Sequence, residues 1–139
     1  MREEISALGL DIGRKRIGVA GCDRTGLIAT GLTTLQQLSF SQVVDSLRAM
    51  VTERRVELLV VGLPLTLAGS EGRQAKQVRR MAERLSGALG LPLVYVDERL
   101  TSIEAEELIR QQGGSPGQDR SLVDRKAAAI ILQRWLDQR

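Results

Sequence analysis

The chain has 139 residues, 42% hydrophobic and 27% charged, with a formal net charge of +3. That is the length of about one ordinary domain with a buried core, and its longest apolar runs, Leu58–Val61 and Ala127–Leu132, fall far short of a bilayer span. With no histidine and one cysteine, Cys22, histidine triads, zinc fingers, H-E-x-x-H proteases and internal disulfides are excluded, which leaves carboxylates, hydroxyls, Arg, Lys and oxygen-loving cations.

The N-terminus, MREEISALG, places acids where a secretory signal would want only basic charge, and it has no long apolar stretch. The cytoplasm is the compartment expected. Ile5–Ile12 reads as a first strand, Gly13–Lys15 as a tight turn and Arg16–Cys22 as a second strand. Asp23–Gly26 is another turn, followed by a third strand over Leu27–Thr34. These three read as an antiparallel meander. Its glycines, among them Gly9, Gly18 and Gly31, mark close backbone approach or bulges.

The pattern then changes to alternating helix and strand. Apolar spacing predicts helices over Ser41–Arg54 and Gly72–Leu89, with buried strands at Val56–Gly62 and Leu91–Val96. Thr101–Gln112 reads as a helix, Gly113–Asp119 as a loop and Ser121–Gln138 as a closing helix. The expected architecture is a single α/β domain over residues 1–139. Its five-stranded mixed sheet has β4 and β5 parallel to β1 and helices outside.

Three acids fall where such sheets do chemistry. Asp11 ends the first strand, where a carboxylate is costly unless paired, metal-bound or accepting hydrogen bonds from the turn at Gly13. Asp97 and Glu98 follow the fifth strand at its carboxyl edge, the usual ligand edge of an open α/β sheet. Neighbouring strand residues point to opposite faces, so one of the two enters a site; the competing reading is that Asp97 or Glu98 forms an ordinary ion pair with Arg99 or Arg125. Asp124 sits in Ser121-Leu122-Val123-Asp124, which also reads as a capping box. Thr101-Ser102-Ile103-Glu104 is a similar box, and there Glu104 is read as structural. Converging carboxylates would repel one another, raise a pKa when metal-free and become ligands for a divalent cation. Oxygen-only ligation favours Mg²⁺ or Mn²⁺, and two such ions roughly 4 Å apart would serve phosphodiester hydrolysis.

Four motifs in order resemble the YqgF/RuvX family, whose members are called Holliday junction resolvases and pre-16S rRNA nucleases. They are Gly9-Leu10-Asp11-Ile12-Gly13 with Arg16-Ile17-Gly18-Val19-Ala20, Val61-Gly62-Leu63-Pro64-Leu65 with Gly69-Ser70-Glu71-Gly72, Val96 to Ser102, and Val123-Asp124 with Ala127-Ala128 and Ile131-Leu132-Gln133. Together they span nearly the whole chain. The resemblance implies an RNase H-like fold and a nuclease using Mg²⁺ or Mn²⁺, as two ions. It implies that Asp11, Glu98 and Asp124 form the acidic metal-binding and catalytic triad, with Asp97 a secondary candidate. The implied partner is structured nucleic acid: pre-16S rRNA at its 5′ end in small-subunit precursors, or branched DNA. Thr66 and Ala68 stand where family members carry Asn and often Asp, and the loop before Ser121 is less basic than usual.

Arg14-Lys15-Arg16 forms a basic tip just after Asp11, and Arg14 and Lys15 are read as phosphate contacts, with Arg16 free to pair with an acid. Arg73, at a helix start, and Thr101 are further nucleic-acid-binding candidates, whereas Arg80 and Arg84 read as a solvated helix face. Two other classes compete: a non-catalytic RNA-binding module and an ATP binder built on Gly9-x-Asp11-x-Gly13. The ATP binder would want a second similar domain, for which 139 residues leave no room. No membrane partner is expected. Cutting a four-way junction symmetrically would want a homodimer, whereas trimming one strand needs only a monomer.

Overall fold

The computed structural model describes residues 3–99, 101–117 and 119–139, so Met1, Arg2, Leu100 and Gln118 lie outside it. The described residues form β1 (Ala7–Ile12), β2 (Arg16–Cys22), β3 (Ala29–Gln36), α1 (Phe40–Arg54), β4 (Leu58–Leu63), α2 (Arg73–Leu89), β5 (Leu93–Asp97), α3 (Thr101–Gln111) and α4 (Arg120–Asp137). The sheet order is β3-β2-β1-β4-β5. β1 pairs antiparallel with β2 and parallel with β4, and β4 is parallel to β5, the arrangement expected from meander followed by alternation.

Strand alternation sorts β1 onto two cores. Leu8, Leu10 and Ile12 pack with Val43, Leu47, Val78 and Leu85 beneath α1 and α2. Ala7 packs on the other face with Val60, Ile131, Leu132 and Leu136 against α4. Asp11 shares that second face. α4 comes unusually close to the sheet because glycines lie under it. A side-chain carbon on Gly9 would stand 2.7 Å from Leu132 Cβ. On Gly18 it would overlap the Asp124 carbonyl.

Most boundaries move by one or two residues, β1, β4 and β5 each starting two residues later than expected, and two of the shifts have visible local reasons. The third strand begins at Ala29, because the Asp23 carboxylate takes the backbone N–H groups of Leu27 and Ile28 at 3.0 and 2.9 Å and holds them in a turn. The closing helix begins at Arg120, with Asp119 as its N-cap accepting from Leu122 N at 3.0 Å. Ser121 is therefore not the cap, and the capping-box reading of Asp124 fails: the box position is Leu122, and Asp124 lies two residues further in. The Ser121 carbonyl instead accepts from the Thr34 hydroxyl at 2.6 Å, which ties the start of α4 to β3.

Candidate active site

Asp11 stands opposite Gly18 in the β1–β2 ladder, near the carboxyl end of β1. Because Gly18 has no side chain, the backbone of α4 at Asp124 rests directly on it. One glycine thus brings the fifth residue of α4 over the strand pair that carries Asp11. The Asp124 carboxylate is then fixed by Arg16, whose Nε donates to Oδ2 at 2.6 Å. Arg16 is therefore an ion-pair partner within the site.

Glu98 arrives from the far side of β4. Its N–H donates to the Leu63 carbonyl at 3.2 Å, which extends the β4–β5 pairing by one residue. Its carbonyl accepts from the Thr101 N–H at 3.0 Å and from the Thr101 hydroxyl at 2.9 Å. Glu98 shares the strand parity of Val96, which faces α4. It lies over Gly62, where a side-chain carbon would stand 2.9 Å from Glu98 Oε2. Gly62, the end of the expected strand and a member of the second motif, makes the room in which the Glu98 carboxyl lies. Its signal is a glycine closing an otherwise unbroken run of Leu and Val.

The Asp11 and Glu98 carboxyls lie within hydrogen-bonding reach of each other, close enough that each shifts the titration of the other. Both keep some accessible surface but are crowded by protein on most sides. Burial pushes Asp11 up to about 6, aided by the charge of Asp124 and opposed by the neighbouring Glu98 carboxyl. Glu98 is pushed up to about 9 by burial, then by the charge and the proximity of Asp11. Two crowded carboxylates repel each other, and with Glu98 pushed above neutral the pair holds a proton near pH 7.

Asp97 has the opposite parity and goes elsewhere. It pairs with Arg99 at 2.6 Å, and that guanidinium holds its carboxyl below the usual range. The Asp97 carbonyl accepts from Arg134 Nη1 at 2.9 Å, and Arg134 Nη2 pairs with Glu104. Glu104 is structural, as read from the sequence, but through a cation on α4. Arg134 also lends positive charge near Glu98, and the sequence reading passed it over.

Of the basic candidates, Arg14 and Lys15 sit exposed on the tip between β1 and β2, and Arg73 is exposed at the start of α2. Thr101 is not on the surface. It is 2% exposed and its hydroxyl is spent on the Glu98 loop, so it cannot grip a phosphate as the sequence reading had it. It positions Glu98 instead.

The donor set suits a hard divalent cation, since it offers carboxylate oxygens and a pair already strained by its own charge. Asp11 and Glu98 would supply the first ligands. Among the described residues no three acidic side chains lie close enough to hold one ion together as they stand. Asp124 is engaged by Arg16, so joining a metal would require it to leave that partner.

A model of the RuvX family, described as Holliday junction resolvase, matches residues 5–138. A protein of Crocosphaera subtropica is 61% identical over 137 residues, covering 99% of this chain and 96% of its own. One of Rippkaea orientalis is 58% identical over 137 residues, covering 99% of each chain. Both carry the name "Putative pre-16S rRNA nuclease". Among solved structures, Thermus thermophilus RuvC in complex with a Holliday junction substrate superposes with a TM-score of 0.61 at 15% identity, over 96% of this chain and 95% of that one. That likeness shows the RNase H-like fold expected from the motifs. The chain belongs to the RuvX family, and with it to the hydrolases that act on nucleic-acid ester bonds.

Proposed function

We propose that the chain is a single-domain, divalent-metal-dependent nuclease that trims the 5′ end of pre-16S rRNA, with Asp11, Glu98 and Asp124 as its catalytic acids. The observation that carries this reading is the approach of two crowded carboxyls, Asp11 and Glu98, at the carboxyl edge of the sheet. Such a pair is unfavourable for folding, and a cation of the Mg²⁺ or Mn²⁺ class relieves it by taking the proton's place. When bound, the metal supplies Lewis-acid stabilisation of the phosphodiester and an acidified water.

The chain's own residues do the rest. Asp11 and Glu98 would hold the cation through their carboxylate oxygens, their proton passing to solvent water. Gly62 and Thr101 fix where Glu98 stands, and Gly18 fixes where Asp124 stands. Arg16 holds Asp124 in an ion pair at 2.6 Å, and a cation so placed would also attract a substrate phosphate. Arg14, Lys15 and Arg73 lie exposed and would draw in neighbouring phosphates. Trimming one strand needs one such site, so a monomer suffices. No helix of the described residues is long and apolar enough to cross a membrane.

The family description favours branched DNA as a second substrate. Purified protein with Mg²⁺ or Mn²⁺, given a 16S leader RNA and a four-way DNA junction side by side, separates the two readings. Metal-dependent cut ends at the mature 16S 5′ terminus support the first. Paired cuts across the junction with intact RNA replace it with the second. Tight RNA binding with no cutting of either would demote the chain to a binding module.

A further inference from the structure

We propose that the groove between the β1–β2 hairpin and α2 is a subsite for one unpaired nucleobase of the substrate strand, an inference that rests on the nuclease reading above. The groove encloses about 270 Å³. It opens at the same sheet edge as the acidic pair. Ile12 is part of its lining, and Asp11 is the residue before it. Strand alternation sends Asp11 to the α4 face and Ile12 to the α2 face. A strand crossing the edge at Gly13 therefore reaches both.

The lining has the chemistry of a base pocket. Met81 is its half-buried apolar wall, with the core side chains of Ile12 and Val78 as the floor beneath, and three amides surround it: Gln37, Gln74 and Gln77. Each amide offers a donor and an acceptor, the pair that reads a base edge. Gln37 is held to the hairpin, since its N–H donates to the Lys15 carbonyl at 2.8 Å and its side chain donates to the Gly13 carbonyl. Gln74 and Gln77 are exposed and, among the described residues, make no side-chain hydrogen bond.

The surroundings suit an anionic strand. No acid lines the groove, and Arg14 stands at its edge with a planar guanidinium on which a base can stack. Arg73, Lys76 and Arg80 recur at helical spacing beside Gln77 and are exposed, so phosphates would run along α2 while the base turns inward. A paired base has already used its edge, so the strand must be unpaired at this nucleotide.

The test is an abasic scan. Wild type and the double variant Gln74→Ala/Gln77→Ala are titrated by fluorescence anisotropy with a single-stranded RNA 12-mer and with copies carrying one abasic position each, in chelator. One abasic position should weaken wild-type binding about tenfold, the scale of one lost base contact. The same position should cost the double variant less than about twofold, because its base contact is already gone. Arg14→Ala, a second exposed variant, should weaken binding and flatten the same position. A flat scan in wild type, equal losses in all proteins at every position, or no binding by wild type would overturn the proposal. The assay contains no metal, so it does not depend on cleavage. A chain that shows this coupling yet cuts nothing with Mg²⁺ or Mn²⁺ keeps the subsite and loses the nuclease reading.

Discussion

Gly18 and Asp124 meet backbone to backbone: a side-chain carbon on Gly18 would overlap the Asp124 carbonyl oxygen. The contact sets the height of α4 above the sheet, and with it the distance of Asp124 from Asp11, the ladder partner of Gly18. Gly18→Ala should therefore cost about 3 kcal/mol or more, at the upper end of overpacking penalties, because the obstacle is backbone. Cleavage should be lost along with stability. Gly87, inside α2 with nothing within 4 Å of an added carbon, should behave oppositely, gaining about 1 kcal/mol as Gly87→Ala. Urea denaturation of both variants checks the pair of signs.

The acidic pair makes stability depend on pH. Asp11 moves from 3.8 to about 6 and Glu98 from 4.5 to about 9 on folding. Both are raised, so between about pH 4 and pH 9 the folded chain binds more protons than the unfolded one. Stability of the metal-free protein should fall as pH rises through that window. Asp11→Asn should flatten the slope and stabilise the metal-free protein at neutral pH by about 1–3 kcal/mol, while removing activity. Denaturation midpoints from pH 4 to pH 9 in chelator check this. An unchanged slope in Asp11→Asn would show that the pair is not strained.

Divalent metal should act against that strain. Mg²⁺ or Mn²⁺ should raise the melting temperature of wild type more at pH 8 than at pH 5, since binding must displace the pair's proton. Glu98→Gln should lose most of the metal-induced shift. Scanning calorimetry at the two pH values, with and without metal, reads the outcome.

Arg16 and Thr101 are expected to matter through the acids they hold. Arg16→Ala leaves the half-buried Asp124 without its 2.6 Å partner and should cost about 1–2 kcal/mol. Arg16→Lys should not restore the fixed Nε contact. Thr101→Val removes the hydroxyl that holds the Glu98 carbonyl and should lower cleavage about 10- to 100-fold with a modest loss of stability. Thr101→Ser should recover most of it. Equal cleavage by Thr101→Val would limit Thr101 to packing.

The fold was legible because its signals are periodic. Continuous apolar β4 and β5, and the three-strand meander before them, lead to the observed sheet order. Boundaries were misread where side chains captured backbone groups, as Asp23 does at Leu27 and Ile28. The choice of Glu98 over Asp97 follows from strand parity once the end of β5 is known. Sequence alone cannot fix that end to one residue, and a shift of one exchanges the two acids. The contacts of Gly62 and Arg134 do not show in the sequence because they depend on what stands across the sheet edge, at separations of 36 and 37 residues from Glu98 and Asp97. Thr101 was misplaced because a hydroxyl near an active site reads the same whether it faces substrate or the loop behind it.

In the proposed function the carboxyl pair Asp11–Glu98 is a metal-dependent nuclease centre. Its most direct test is the cleavage rate of a 16S leader RNA by wild type and Asp11→Asn, each with Mn²⁺ and with chelator. The expected result is cutting by wild type only with metal and a loss of at least about 10³-fold in the variant, the scale of removing one essential charge-stabilising group. Equal cutting by Asp11→Asn, or cutting that persists in chelator, would contradict the claim.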